Sequence, residues 1–285
     1  MSAPKYAVII PHYNDVDRLE RALQSLFSQD LTQTEVVVAD NGSTQDMKAV
    51  IAAFPDVCFL KIPKKGAAEA RNGGVAGSRA SWLFFLDADC VPSEGWLATA
   101  KALADRGMDA IYGGQVSVFD ETPAPRSGAE AFEWVFAFDQ KRYIEEMGFS
   151  VTANLVTSRT VFEAVGPMIT GVSEDKEWCQ RATAKGVSLH YAPDLQVSHP
   201  TRQDWAALAK KWRRVSDELG GLALMHPTGR LKWRLRACAM PLSALAHTPK
   251  VLAHSALSGG EKLRALVTLF RLRGARMMWM LRQAA

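Results

Sequence analysis

Trp82-Leu83-Phe84-Phe85-Leu86-Asp87-Ala88-Asp89 is an apolar run that stops at two aspartates separated by one small residue. Its length and its aromatic, β-rich composition predict a buried strand, whose end delivers both carboxylates to the sheet edge where open α/β sheets bind ligands. Hard carboxylate oxygens suit Mg²⁺ or Mn²⁺, and such ions keep open positions for substrate phosphates. Aspartate also caps helices and turns, so the pair gains its meaning from the residues around it.

Upstream, Tyr6 to Ile10 reads as a short strand ending at Pro11, followed by Asn14 as an N-cap and a helix with Val16, Leu19, Leu23, Leu26 and Phe27 on one face. Glu35 to Ala39 is the next strand, closed by the turn cluster Asp40-Asn41-Gly42-Ser43. Met47 to Phe54 predicts a helix, Val57 to Ile62 a strand, and Ala67 to Ser78 a small-residue helix. This β-α-β-α-β-α-β order predicts a mostly parallel, doubly wound sheet with right-handed crossovers. Three strands then end in polar clusters at one edge: Pro11-His12-Tyr13-Asn14, Asp40-Asn41-Gly42-Ser43 and Asp87-Ala88-Asp89. Neither GxxxxGK[ST] nor GxGxxG follows the first strand, which argues against a P-loop NTPase and a dinucleotide-binding domain.

Residues 113–170 are less regular, and the aromatic segment from Glu130 to Ile144 fits strand or helix equally. Beyond it, Gly171-Val172-Ser173-Glu174-Asp175 places Ser173 as an N-cap, with a helix running through Trp178, Cys179 and Ala182 to a terminator at Gly186.

The chain has 285 residues, 48% hydrophobic and 22% charged, which is ordinary for a globular protein. Cys58, Cys90, Cys179 and Cys238 form no CxxC pair, so neither a structural zinc site nor a disulfide framework is expected, and a reducing cytosol fits best. The first strand begins at Tyr6 without the basic, apolar and small-residue succession of a secretory signal. The net charge of +4 hides an asymmetry. Residues 200–285 hold 16 Lys/Arg against 4 Asp/Glu, net +12, and residues 1–199 hold 18 against 26, net −8. The basic end calls for an anionic partner.

In order and spacing, roughly residues 5–200 resemble the family 2 glycosyltransferases of GT-A fold. The resemblance is carried by Val8-Ile9-Ile10-Pro11-His12-Tyr13-Asn14, Leu23-Gln24-Ser25-Leu26 with Gln29, and Glu35 through Ser43. It continues in Ala70-Arg71-Asn72-Gly73-Gly74, Phe85 through Asp89, and Glu174-Asp175. It implies a Rossmann-like α/β domain, with residues 1–112 as the nucleotide-sugar half and 113–200 as the acceptor half, followed by a basic helical extension over 201–285. The implied activity is metal-dependent inverting transfer from a nucleoside-diphosphate sugar, a UDP-sugar being favoured, to a glycan or lipid-linked acceptor in surface polysaccharide or glycolipid synthesis. The alternative is a non-catalytic nucleotide-sugar-binding or scaffold protein of the same fold.

The resemblance further implies that Pro11, Tyr13 and Asp40 contact the nucleobase, Asp40 accepting from an imide N–H, with Arg71 near base or phosphates. Asp87 and Ala88 join the nucleotide-sugar site, with Asp87 on the ribose or a metal-bound water. Asp89 ligates the Mn²⁺ or Mg²⁺ ion. Asp175 is expected as the base and Glu174 as an orienting carboxylate; the competing reading has both acids merely favoured in a helix's first turn. His199 reads as a residue near the metal or as a loop histidine beside Pro200. Asn41 departs from the commoner aspartate at its position. In Lys210-Lys211-Trp212-Arg213-Arg214, the residues Lys211, Arg213 and Arg214 read as diphosphate contacts or as the basic face of an amphipathic helix.

Residues 230–285 mix Trp233, Leu269, Phe270 and Trp279 with arginines, and Pro241 and Pro249 interrupt the most apolar section. Interfacial helices on the anionic inner face of a cell membrane are expected rather than a spanning helix, the competing reading being a plain helical appendage. No RRM, KH or zinc-finger signature is present, so nucleic acid is not an expected partner.

Overall fold

A computed structural model describes residues 4–224 and 227–284. The first unit holds residues Met1–Ser117 and Asp139–His199, the second Val118–Phe138 and Pro200–Ala285. The second unit thus takes in residues 118–138, a grouping that the expected cuts at 112 and 200 did not contain.

The chain begins with β1 (Tyr6–His12), α1 (Val16–Phe27), β2 (Thr34–Asp40), α2 (Lys48–Ala53), β3 (Val57–Lys61), α3 (Ala67–Ala76) and β4 (Trp82–Leu86). The predicted alternation is therefore present. It continues through β5 (Val91–Pro92), α4 (Trp96–Asp105), β6 (Ala110–Phe119), α5 (Gly128–Phe136), α6 (Gln140–Glu145), β7 (Asn154–Ser158), α7 (Arg159–Val165), α8 (Glu174–Ala184) and β8 (Ser188–Pro200). The eight strands form one sheet in the order β3-β2-β1-β4-β7-β6-β8-β5. The four strands from β3 to β4 run parallel, whereas β7 is antiparallel to both β4 and β6. Ile9, Val37, Leu83, Phe85 and Leu155 supply the buried centre, packed against Phe162, Trp178 and Cys179.

One local expectation is corrected, and one open assignment is resolved. Asn14 is not the cap of α1: its backbone is left-handed, at φ 50°, a conformation asparagine tolerates better than most residues. Its Oδ1 instead accepts from the Thr44 and Gln45 backbone N–H groups at 2.7 and 3.2 Å, tying the end of β1 to the loop after β2. The cap position falls on Asp15. The segment that fitted strand or helix is helical: α5 opens with a capping box between Ser127 and Glu130, and Phe132 and Phe136, one turn apart, lie 4.9 Å between ring centres.

The second unit adds α9 (Trp205–Leu224), α10 (Gly229–Cys238), α11 (Met240–Leu252) and α12 (Gly259–Gln283). Its core joins Phe132 and Val135 of α5 to Leu208, Leu269 and Leu272. Inside it, Glu133 is fully buried and meets Lys211 Nζ at 2.6 Å and the Arg202 backbone N–H at 2.8 Å. Burial alone would raise the Glu133 pKa, but the charges of Lys211 and Arg202 outweigh it and hold the carboxyl below its ordinary value. Pro241 and Pro249 lie within α11, Pro241 in its first turn, where proline fits. Among the described residues no helix is long and apolar enough to cross a membrane.

Candidate active site

Because β1 and β2 pair in parallel, His12 stands opposite Asp40 at the carboxyl edge. The Asp15 backbone N–H donates to His12 Nε2 at 3.2 Å, so that nitrogen carries no proton and Nδ1 does. Nδ1–H then donates to Asp40 Oδ1 at 3.1 Å. The Ser43 hydroxyl donates to the same oxygen, and its backbone N–H to Oδ2 at 3.2 Å. Burial pushes the Asp40 carboxyl up, yet the bonds from Ser43 and His12 win and its pKa is lowered, keeping the carboxylate ionised as an acceptor. Tyr13 next to it is 56% exposed, with Lys65 Nζ 4.8 Å from its ring centre.

Asn41 explains its own departure from aspartate. Its Nδ2 donates to the Ile62 and Lys64 carbonyls at 3.3 and 2.7 Å, while Oδ1 accepts the Gly66 N–H at 2.7 Å. An ionised aspartate has no proton to donate and would set charge against two carbonyl oxygens. The amide therefore braces the loop between β3 and α3, whose Gly66 needs φ 132°.

Arg71 on α3 is buried and joins two acids far apart in sequence. Nη2 donates to Asp87 Oδ1 at 2.6 Å, at the end of β4, and Nη1 to Glu174 Oε1 at 2.9 Å, at the start of α8. Its Nε is buried with no hydrogen-bond partner among the described residues. Burial works against the cation, but Asp87 and Glu174 overcome it and raise its pKa. Asp175 Oδ1 accepts from Ser173 Oγ at 3.1 Å and from the Lys176 N–H at 2.8 Å. Its pKa is raised, first by desolvation and then by the charge of Glu174, with Arg71 opposing. A carboxylate so placed is a stronger base than an ordinary one.

Asp89 follows β4 in the chain, and β5 just beyond it pairs with β8 through Val91↔Ser198 and Pro92↔Val197. That ladder brings His199 Nε2 to 3.0 Å from Asp89 Oδ2. One imidazole nitrogen and one carboxylate oxygen therefore converge, while Asp87 is turned to Arg71. No group of three or more His, Cys, Asp or Glu able to hold an ion occurs among the described residues. Such a pair fits Mg²⁺ or Mn²⁺ sharing most of its sphere with water and substrate phosphates, and does not fit a closed structural cage.

Residues 7–166, more than half the chain, match the family described as Glycosyl transferase family 2. The chain belongs to that family. The glycosyltransferase AglE of Haloferax volcanii is 32% identical to it over 224 residues, 74% of this chain and 71% of AglE. The GalNAc(5)-diNAcBac-PP-undecaprenol beta-1,3-glucosyltransferase of Campylobacter jejuni is 30% identical over 116 residues, 39% of this chain and 38% of that protein. Among solved structures, the mannosyltransferase PcManGT of Pyrobaculum calidifontis, in complex with GDP-Man and Mn²⁺, covers 99% of this chain and 73% of its own at 17% identity, with a TM-score of 0.57. The fold is thus the GT-A fold that the sequence motifs imply.

Within this family 2 domain, Pro11, Tyr13 and Asp40 share the β1 and β2 edge, Ala88 is buried between Asp87 and Asp89, and Arg71 ties Asp87 to Glu174. Lys211 is engaged with Glu133, Arg214 lies 3.7 Å from Glu218, and Arg213 is exposed, all three on α9 of the second unit. Sequence reasoning left His12 out of the site. Its signal was its position as the last residue of β1, level with Asp40 once the strands are set in parallel register.

Proposed function

We propose that the protein is a metal-dependent inverting glycosyltransferase that moves a sugar from a nucleoside-diphosphate sugar to a hydroxyl of a lipid-linked glycan. The observation that carries this reading is Arg71, buried and bonded at once to Asp87 at the end of β4 and to Glu174 beside Asp175. That arginine joins the donor side, at Asp87, to the acceptor side, at Glu174. Asp40 accepts the N–H of the base. Asp89 and His199 hold the divalent ion, which supplies Lewis-acid stabilisation of the departing diphosphate. Asp175 takes the proton of the acceptor hydroxyl as that oxygen attacks the anomeric carbon from the face opposite the diphosphate. The bond from that carbon to the diphosphate breaks, and the nucleoside diphosphate leaves with its electron pair. PcManGT carries GDP-Man and Mn²⁺, which supports a nucleoside-diphosphate donor and a divalent ion here.

Calorimetry with UDP, GDP, dTDP and CMP, each with Mn²⁺, Mg²⁺ or EDTA, tests the donor site. One nucleoside diphosphate is expected to bind only with metal, and Asp89→Ala to weaken it at least about tenfold, the loss of one charged contact. Equal binding in EDTA and in Asp89→Ala would remove the metal from the reading.

The acceptor's lipid is supported by the undecaprenol in the name of the Campylobacter relative and by the surface of the second unit. Leu231 and Leu235 on α10, Leu242 and Leu245 on α11, and Leu263 and Val267 on α12 are each at least 60% exposed. They lie among the basic residues of this net +12 segment, a composition suited to the head-group boundary of an anionic membrane. The full chain is expected to float with phosphatidylglycerol vesicles and to lose most of that binding in Leu242→Glu. Wild-type protein that stays at the bottom of the gradient would remove the membrane from the proposal.

A further inference from the structure

Helices α9, α10 and α12 gather three arginines with no acid among the described residues to answer them. Arg276 on α12 is 4% exposed. Its Nε reaches Ser216 Oγ at 3.4 Å, and its guanidinium carbon lies 4.5 Å from the centre of the Trp212 ring. Arg273, three residues earlier and so on the same helix face, is half-buried. Its Nη1 meets the Met240 sulfur at 3.9 Å, and its Nε is buried without a hydrogen-bond partner among the described residues. Arg236 is exposed in the last turn of α10, with its guanidinium carbon 5.5 Å from the centre of the Trp233 ring, and its charge acts on both. Burial first, then Arg273 and Arg236, bring the Arg276 pKa down to about 9, and no carboxylate among the described residues is a cause of the shift at Arg273 or Arg276.

A buried cation without a counter-charge is costly, and stacking on Trp212 recovers only part of that cost. The exposures grade from the buried Arg276 through the half-buried Arg273 to Arg236 at the surface. We propose that Arg236, Arg273 and Arg276 form an anion site for a phosphate or diphosphate group, built wholly within the helical unit. Three guanidinium forks match phosphate oxygens in geometry, and three positive charges match a diphosphate better than a single carboxylate. Leu235 beside Arg236 and Phe270 near Arg273 are exposed, so the group can carry an apolar chain. The site takes the phosphate group whether or not the apolar surface meets a membrane.

Inorganic pyrophosphate is the probe, titrated into the full chain in EDTA to silence any metal-dependent donor site. Saturating pyrophosphate is expected to raise the Tm by about 5 °C. Arg273→Gln and Arg276→Met should each lose that rise and bind pyrophosphate about tenfold or more weakly by calorimetry. Arg276→Met fills similar space without charge and should melt above wild type in anion-free buffer, which separates lost binding from lost folding. Arg264→Gln, exposed on the same helix, should respond as wild type does. A pyrophosphate response that survives in Arg273→Gln, or that is missing in wild type, overturns the proposal. Phosphatidylglycerol vesicles identify the source once the pyrophosphate site is established. Vesicle binding weakened more by Arg273→Gln than by Arg264→Gln assigns the phosphate to a lipid head group, and equal weakening assigns it to a free or glycan-linked diphosphate.

Discussion

Asp175→Asn is expected to slow sugar transfer about 10³-fold, the usual contribution of a positioned base, while leaving nucleoside-diphosphate affinity unchanged. The amide keeps the oxygen that accepts from Ser173 and Lys176, so the start of α8 should stay in place. Its melting temperature should not fall. Burial and the neighbouring Glu174 raise the Asp175 pKa, so the folded chain holds this proton more tightly than the unfolded chain does. Stability from the protonated form is complete below the ordinary carboxyl pKa and is lost as pH rises through the raised value. At neutral pH the wild type therefore bears the cost of a desolvated carboxylate that the asparagine variant escapes. Single-turnover transfer assays with calorimetry and thermal melts check all three outcomes, and near-normal turnover would remove Asp175 from the base role.

The same residues show where the sequence was readable and where it was not. The donor edge was legible because four parallel strands are short apolar runs, and three of them stop at polar clusters whose common edge follows from topology. His12 and Asn41 were visible as letters but not as parts. The role of His12 depends on its register with Asp40 across two strands and on the Asp15 N–H that fixes its tautomer. Asn41 earns its amide only from carbonyls that lie 21 and 23 residues downstream. The Glu130 to Ile144 segment resisted assignment because aromatics at even spacing satisfy a strand period, whereas its helix is set by the Ser127 capping box and by Leu208, Leu269 and Leu272 far along the chain. No local pattern announces a partner so distant. The basic end was legible as charge, while the pairing of Lys211 with the buried Glu133 was not.

Arg71→Met is expected to cost the fold about 3–5 kcal/mol, because it leaves Asp87 and Glu174 partly buried without the cation that joins them. The loss should appear as a Tm lower by roughly 10 °C in a chain of this size. The second consequence is a pH effect with a definite sign. The charge of Arg71 lowers the Asp175 pKa, against burial and Glu174, which raise it. Without it the base should hold its proton to higher pH, so the acid limb of kcat/KM should move upward. Arg71→Lys keeps a charge but not a fork that reaches two carboxylates at once, so it should fold well and move the limb by a smaller amount in the same direction. A purely structural arginine would lower Tm in both variants and leave the limb where it was. The graded shift, largest in the methionine variant, intermediate in the lysine variant and absent from the residual rate of Asp175→Asn, is the outcome that ties the donor strand to the base through one buried guanidinium.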